Sequence, residues 1–289
     1  MSNCPNCQQP KFFTITRQGE NFEGEKVVFC SKCQIAWLQN SSVRANGDYY
    51  QSNAFSEEFR GFTTPPPLEI KMREERADKR LGLLNSLNLL KDDGTDRVLE
   101  IGCSFGAFLK AVRNDKVANV KGIELSSSMV EFSHEYLQDG ETIIREPLSK
   151  EIIQEYWPTI ICIYQVIEHI ENIDDFMSVL SAVHEDTFIV VEFPDLEQAL
   201  KNRKRLGKKY FQRSHLYDFC SYSLVNFFEK YGLYSQHVCY GSESGLGDKN
   251  TTIIFSKSRK QSSLAKPHML LPLIFKSKVA NHLIRLLGR

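Results

Sequence analysis

Val98-Leu99-Glu100-Ile101-Gly102-Cys103-Ser104-Phe105-Gly106-Ala107-Phe108 decides the fold. Arg97 to Ile101 reads as a strand. Val98, Leu99 and Ile101 give it the apolar run of a parallel strand covered on both faces. Gly102 and Gly106 bracket a turn, where glycine permits positive φ and lets a ligand approach the backbone closely. Ala107 to Asn114 reads as a helix whose first N–H groups lack intrahelical partners and face the turn. The spacing excludes a dinucleotide fingerprint, G-x-G-x-x-G, because position 104 is Ser. It excludes a P-loop as well, because no Gly-Lys-Ser/Thr follows.

Outward from this turn the pattern alternates. Val117 to Leu125 reads as a second strand ending in Glu124. A carboxylate about 20 residues past a glycine turn can accept from both hydroxyls of a ribose; a solvated strand-end carboxylate is the plainer reading. Ser126 to Ser128 cap a helix, Met129 to Gln138. Glu141 to Glu146 and Thr159 to Gln165 read as strands three and four. A helix from Asn172 to His184 leads to strand five, Thr187 to Phe193. Tyr222 to Tyr231 reads as a helix before two last strands, 235–240 and 251–255. Short loops between alternating strands and helices predict an α/β fold with a doubly wound, mostly parallel seven-stranded sheet.

Glu100 to Gly106 resembles motif I, E/D-x-G-C-G-x-G, of class I S-adenosylmethionine (SAM)-dependent methyltransferases, with Ser104 at the middle glycine. The resemblance spans residues 76–256 and implies a Rossmann-like methyltransferase. SAM would then be held by Glu100, Gly102, Cys103, Ser104, Phe105 and Gly106. Glu124, in Ile123-Glu124-Leu125-Ser126, would serve the ribose, with Leu125 and Met129 beside it. Gln165 would offer an amide to the amino-acid part. Val166-Ile167-Glu168-His169-Ile170 resembles the V-L-E-H-I/L segment of a subgroup with ubiquinone-pathway and sugar-modifying members. His215-Leu216-Tyr217 resembles the H-L-x-x-F step of that subgroup. It is also similar to the D-E-H-x-Y segment of zinc-bearing sugar C-methyltransferases, whose histidine is a base; here Ser214 replaces the acidic neighbour. His215 and His169 are thus the catalytic candidates, with local packing as the other reading of His169.

Cys4-Pro5-Asn6-Cys7 and Cys30-Ser31-Lys32-Cys33 form two C-x-x-C knuckles with 22 residues between them. Tetrahedral zinc needs four soft ligands, and this pattern predicts one structural zinc on Cys4, Cys7, Cys30 and Cys33. Phe12 to Thr16 and Val27 to Cys30 read as the ribbon's strands. The ribbon, 1–48, is expected to have a core of its own, separate from the cofactor turn. Residues 49–75 read as an aromatic, proline-rich connector that packs or covers the cleft. Leu68 to Leu90 reads as a helix with its charged residues outside and Leu81, Leu84 and Leu87 inside.

The 289 residues carry no net charge, so no global field steers the chain to nucleic acid. Met1 to Pro5 lack the apolar run of a signal peptide, and paired cysteines suit a reducing compartment, so a cytoplasmic enzyme is expected. Charge is uneven locally. Lys201 to Arg213 holds seven positive residues and no acid. It reads as a grip for phosphate or as a solvated loop. After Asp248 come nine Lys and Arg and no acid. Residues 257–289 read as a basic linker and an amphipathic helix over 269–289, suited to packing or to an anionic membrane surface. The expected activity is methyl transfer from SAM to a small anionic, phosphate-bearing acceptor, a sugar nucleotide or glycan precursor. A zinc-ribbon RNA methyltransferase is the alternative, and a non-catalytic SAM-binding module a third.

Overall fold

A computed structural model describes residues 3–10, 12–14, 25–39, 49–52, 57–58, 61–116, 119–202 and 211–259. The segment 269–289 and most of the basic run lie outside these residues.

The glycine turn sits at the middle of a seven-stranded sheet. Its strands are β4 (Arg97–Ile101), β5 (Asn119–Ile123), β6 (Ile143–Ile144), β7 (Ile160–Tyr164), β8 (Phe188–Pro194), β10 (Tyr234–Tyr240) and β11 (Asn250–Ser256). Their order is β10-β11-β8-β7-β4-β5-β6. The run β8-β7-β4-β5-β6 is parallel, and β10 and β11 close the edge antiparallel. All five residues of β7 are buried, as a strand covered on both faces requires. Chain order reverses between β4 and β7, so the loop after β4 opens at the topological switch point, where open α/β sheets bind ligands.

The helices are α1 (Pro67–Ser86), α2 (Ala107–Lys116), α3 (Ser127–Leu137), α4 (Lys150–Tyr156), α5 (Ile173–Leu180), α6 (Leu196–Asn202), α7 (Ser221–Glu229) and α8 (Gly241–Ser244). Two expectations about them change. The first helix stops at Ser86, and Asn88 turns left-handed at φ 52°. On that helix Arg80 faces inward, only 7% exposed. Sequence reading also misses α4. The Ser149 hydroxyl caps it by accepting from the Ile152 N–H at 3.3 Å.

The ribbon departs most from expectation. β1 (Phe13–Thr14), β2 (Lys26–Cys30) and β3 (Ile35–Gln39) form an antiparallel sheet. Its fourth strand is β9 (Tyr217–Asp218), taken from beyond β8 and paired with β3 through Ala36–Asp218 and Trp37–Tyr217. Cys4, Cys30, Cys33, Ile35 and Trp37 belong to the same buried cluster as Leu99, Ile163 and Val191 of the large sheet. The expectation of separate cores is therefore overturned. A ribbon this short cannot bury Trp37, which is 0% exposed, without borrowing the larger module's surface. Among the described residues no helix is long and apolar enough to cross a membrane.

Candidate active site

The turn after β4 is built around a glycine whose replacement would be strained and would displace Val166. Gly102 has φ +69°, and an added Cβ would lie 2.4 Å from Val166 Cγ2. The chain leaving β7 therefore packs directly on the turn leaving β4. Ser104 adopts φ 53°, the left-handed region that favours glycine. Its N–H donates to the Glu124 carboxylate at 2.8 Å.

Glu124 stands one residue past the end of β5 and is 8% exposed. Its Oε1 accepts from Leu125 N (2.8 Å) and Ser126 N (2.9 Å), while Oε2 accepts from Ser104 N. A carboxylate has about four acceptor positions. Three are filled by backbone, which fixes the group's orientation and leaves Oε2 able to accept from a ligand hydroxyl.

Glu100, Gly102, Cys103, Ser104 and Phe105 line one cavity together with Arg73, Ala77 and Arg80 of α1 and Tyr164 of β7. Glu100 is 4% exposed and its Oε2 has no hydrogen-bond partner among the described residues. Burial pushes its carboxyl up to about 8; Arg80 opposes that shift and Glu124 adds to it. An orphaned buried carboxyl beside a glycine turn fits a cationic ligand group, and the pinned Glu124 fits a ribose. The residues present thus suit SAM. Phe105 packs against Phe132 and Tyr136; Met129 is buried in α3 and does not line the cavity. Gly106 makes the last tight step into α2, at φ +87°.

Gln165 holds φ 59° and donates through Nε2 to Glu192 Oε1 at 3.1 Å. Sequence reading missed why. Glu192, wholly buried in β8, receives Arg80 in two hydrogen bonds, Nε to Oε2 at 2.9 Å and a terminal nitrogen to Oε1 at 3.0 Å. The Arg80 guanidinium also lies 4.2 Å from the Tyr164 ring centre. This fork ties α1 to the sheet beneath the cavity. An arginine on a helix that otherwise reads as charged gave no local signal of burial.

The two candidate histidines meet. A short 3₁₀ turn, Ile167–His169, follows Val166, and the rings of His169 and His215 lie 5.0 Å apart, edge to face. His169 Nδ1 is 2.7 Å from the Ser214 carbonyl, and the Tyr50 hydroxyl donates to that carbonyl at 3.2 Å. Burial first, and Lys249 second, push the His215 imidazolium down to about 4. The histidines are 46 residues apart in sequence. Their approach depends on Leu216, whose N–H donates to the Glu168 carbonyl at 2.8 Å and whose carbonyl accepts from Leu38 N at 3.0 Å. Ribbon, His215 and His169 are thereby linked through one residue's backbone.

At the ribbon, the ligand atoms of Cys4, Cys7, Cys30 and Cys33 lie within 4.8 Å of one another, with Cys7 Sγ and Cys30 Sγ 3.8 Å apart. A zinc tetrahedron with bonds of about 2.3 Å has sulfur–sulfur edges of about 3.8 Å. Each knuckle ends alike: Gln8 and Gln34 are left-handed, and their N–H groups return to Cys4 O and Cys30 O. The four thiols are compatible with zinc.

A family of methyltransferase domains matches residues 71–238, more than half of the 289. The chain belongs to this family. It is a SAM-dependent methyltransferase. Magnesium protoporphyrin IX methyltransferase from Synechocystis, solved with bound SAH, shares the fold at a TM-score of 0.50 and 16% identity, over 73% of this chain and 97% of that one. A chain from a Haloferax volcanii complex between a methyltransferase activator and a methyltransferase aligns at 0.51 and 11%, over 76% and 100%. A Pyrococcus horikoshii protein aligns at 0.50 and 15%, over 70% and 99%. No curated protein matches the sequence.

Proposed function

We propose that the methyltransferase acts on a small anionic acceptor, a sugar nucleotide or glycan precursor, seated against Tyr50, His169 and His215. The observation that carries this is the histidine pair: His169 stands one short turn after Val166, the residue packed on Gly102, and the His215 ring lies 5.0 Å from it. Bound SAM supplies an electrophilic methyl on a sulfonium. Glu124 would hold its ribose and Glu100 its ammonium, with the backbone of Gly102 to Phe105 lining the cofactor side of the cavity. The protein's work is to align acceptor and methyl and to exclude water. The basic run 201–213 is the candidate phosphate grip; of its two ends, Lys201 pairs with Glu197 at 2.8 Å and Arg213 with Glu25 at 3.0 Å.

The test is transfer of labelled methyl from SAM to pooled nucleotide sugars. His169→Ala and His215→Ala are expected to keep SAM affinity and to lower turnover by about 100-fold. Wild-type turnover in both variants and in the double would remove the histidines from the acceptor side. Steeply salt-dependent RNA binding, with no transfer to any nucleotide sugar, would replace the acceptor class by RNA.

The Glu100 role gives a pH dependence of known sign. The carboxyl is neutral below about 8 and must ionise to meet an ammonium. SAM binding then releases a proton from the carboxyl, so affinity rises with pH up to about 8 and falls above it as the ligand's own ammonium, with a pKa of about 8, is lost. Calorimetry in buffers of different ionisation enthalpy measures that proton. Glu100→Gln is expected to flatten the rise. An unchanged slope in that variant would assign the proton elsewhere.

A further inference from the structure

We propose that Glu168, His169 and His215 form a second metal site, which holds a divalent first-row transition cation and presents it to an oxygen of the methyl acceptor. The acceptor clause rests on the reading above; the metal site does not. The ligand atoms of the three residues lie within 4.8 Å of one another. Glu168 is 2% exposed, and neither carboxylate oxygen has a hydrogen-bond partner among the described residues. Leaving a buried carboxylate unsatisfied is costly, and a cation between two imidazoles removes the cost.

Each histidine is prepared as a ligand. The Ser214 carbonyl can only accept, so the 2.7 Å contact puts a proton of His169 on Nδ1 and makes Nε2 the nitrogen that would ligate. A metal-bound histidine usually donates its other N–H to a carbonyl or carboxylate in this way. His215 brings its ring to 5.0 Å from that of His169, so the two imidazoles share one side of the Glu168 carboxylate's surroundings. Behind it stands Asp218, 4% exposed, with Oδ1 3.9 Å from His215 Nδ1.

The donor set identifies the cation. Two imidazoles and one carboxylate suit Mn²⁺, Fe²⁺, Co²⁺ or Zn²⁺ better than Mg²⁺ or Ca²⁺, while the four thiolates of the ribbon select zinc. Three protein ligands leave coordination positions open. An acceptor hydroxyl, or a hydroxyl beside a carboxylate or phosphate, is the ligand class that would fill them.

The experiment uses full-length protein with zinc in the ribbon, titrated with Mn²⁺ and followed by electron paramagnetic resonance. Wild type is expected to bind one Mn²⁺ per chain beyond the zinc. Glu168→Gln and His215→Asn are expected to weaken that binding by at least about tenfold, with SAM affinity by calorimetry unchanged as the folding control. If wild type binds SAM yet leaves Mn²⁺ as the free ion, the site is overturned. Mn²⁺ bound equally tightly by both variants overturns it too. Mn²⁺ bound by wild type and lost in the variants, without methyl transfer to any acceptor, upholds the site and overturns the acceptor reading alone.

Discussion

Cys30→Ser is expected to abolish methyl transfer and to lower the thermal transition of the whole protein as one unit. Structural zinc in small ribbons contributes an apparent 10–16 kcal/mol or so, which equals or exceeds the total stability of a typical domain. Here that energy does not stay in the ribbon. β3 pairs with β9, Leu38 N donates to Leu216 O, and Leu216 N donates to Glu168 O. Ribbon side chains such as Trp37 also complete the core of the large sheet. Losing the zinc therefore removes the support of His215 and uncovers buried apolar surface together. Differential scanning calorimetry with zinc analysis measures the effect. Two separate transitions, the larger at its wild-type temperature, would show that the ribbon folds alone and would return the separate-core expectation.

Breaking the buried fork between Arg80 and Glu192 is expected to cost about 3–5 kcal/mol. Glu192→Ala leaves the Arg80 side chain, only 8% exposed, without its partner, and it removes the acceptor of the Gln165 amide. Arg80→Met strands Glu192, which is wholly buried. Replacing both by apolar residues of similar volume is expected to recover most of the loss, because desolvating two charges offsets much of their attraction. Urea unfolding of the wild type, the two single variants and the double variant gives the coupling energy. Single variants that each cost below about 1 kcal/mol would mean that water reaches the pair.

Much of the site was legible because its signals are local. The strand–glycine turn–helix at 97–116 was read within two residues of its ends. Glu124 was expected at a strand end and stands there, one residue past β5. The knuckle spacing alone brought out the four thiols that the structure places together. Short or capped elements were read less well. The third strand shrank from six residues to Ile143–Ile144: Asp139 draws in the N–H groups of Glu141 and Thr142, and Pro147 follows closely. Arg80 was read as exposed because its helix presents charges on nearly every face, and only the position of Glu192, 112 residues away, makes burial affordable.

By itself the sequence determined the parallel sheet, the cofactor turn and the metal knuckles, since each is written in residues close together and each follows from backbone conformation or ligand type. The tertiary structure decided the relations between them. It turned Tyr217–Asp218 into a ribbon strand, stood the rings of His169 and His215 5.0 Å apart, and buried the Glu168 carboxylate near them without a hydrogen-bond partner among the described residues. The physical reason is range. Glycine and cysteine patterns act over a few bonds, whereas pairing an edge strand or burying a charge depends on which distant surface arrives to cover it.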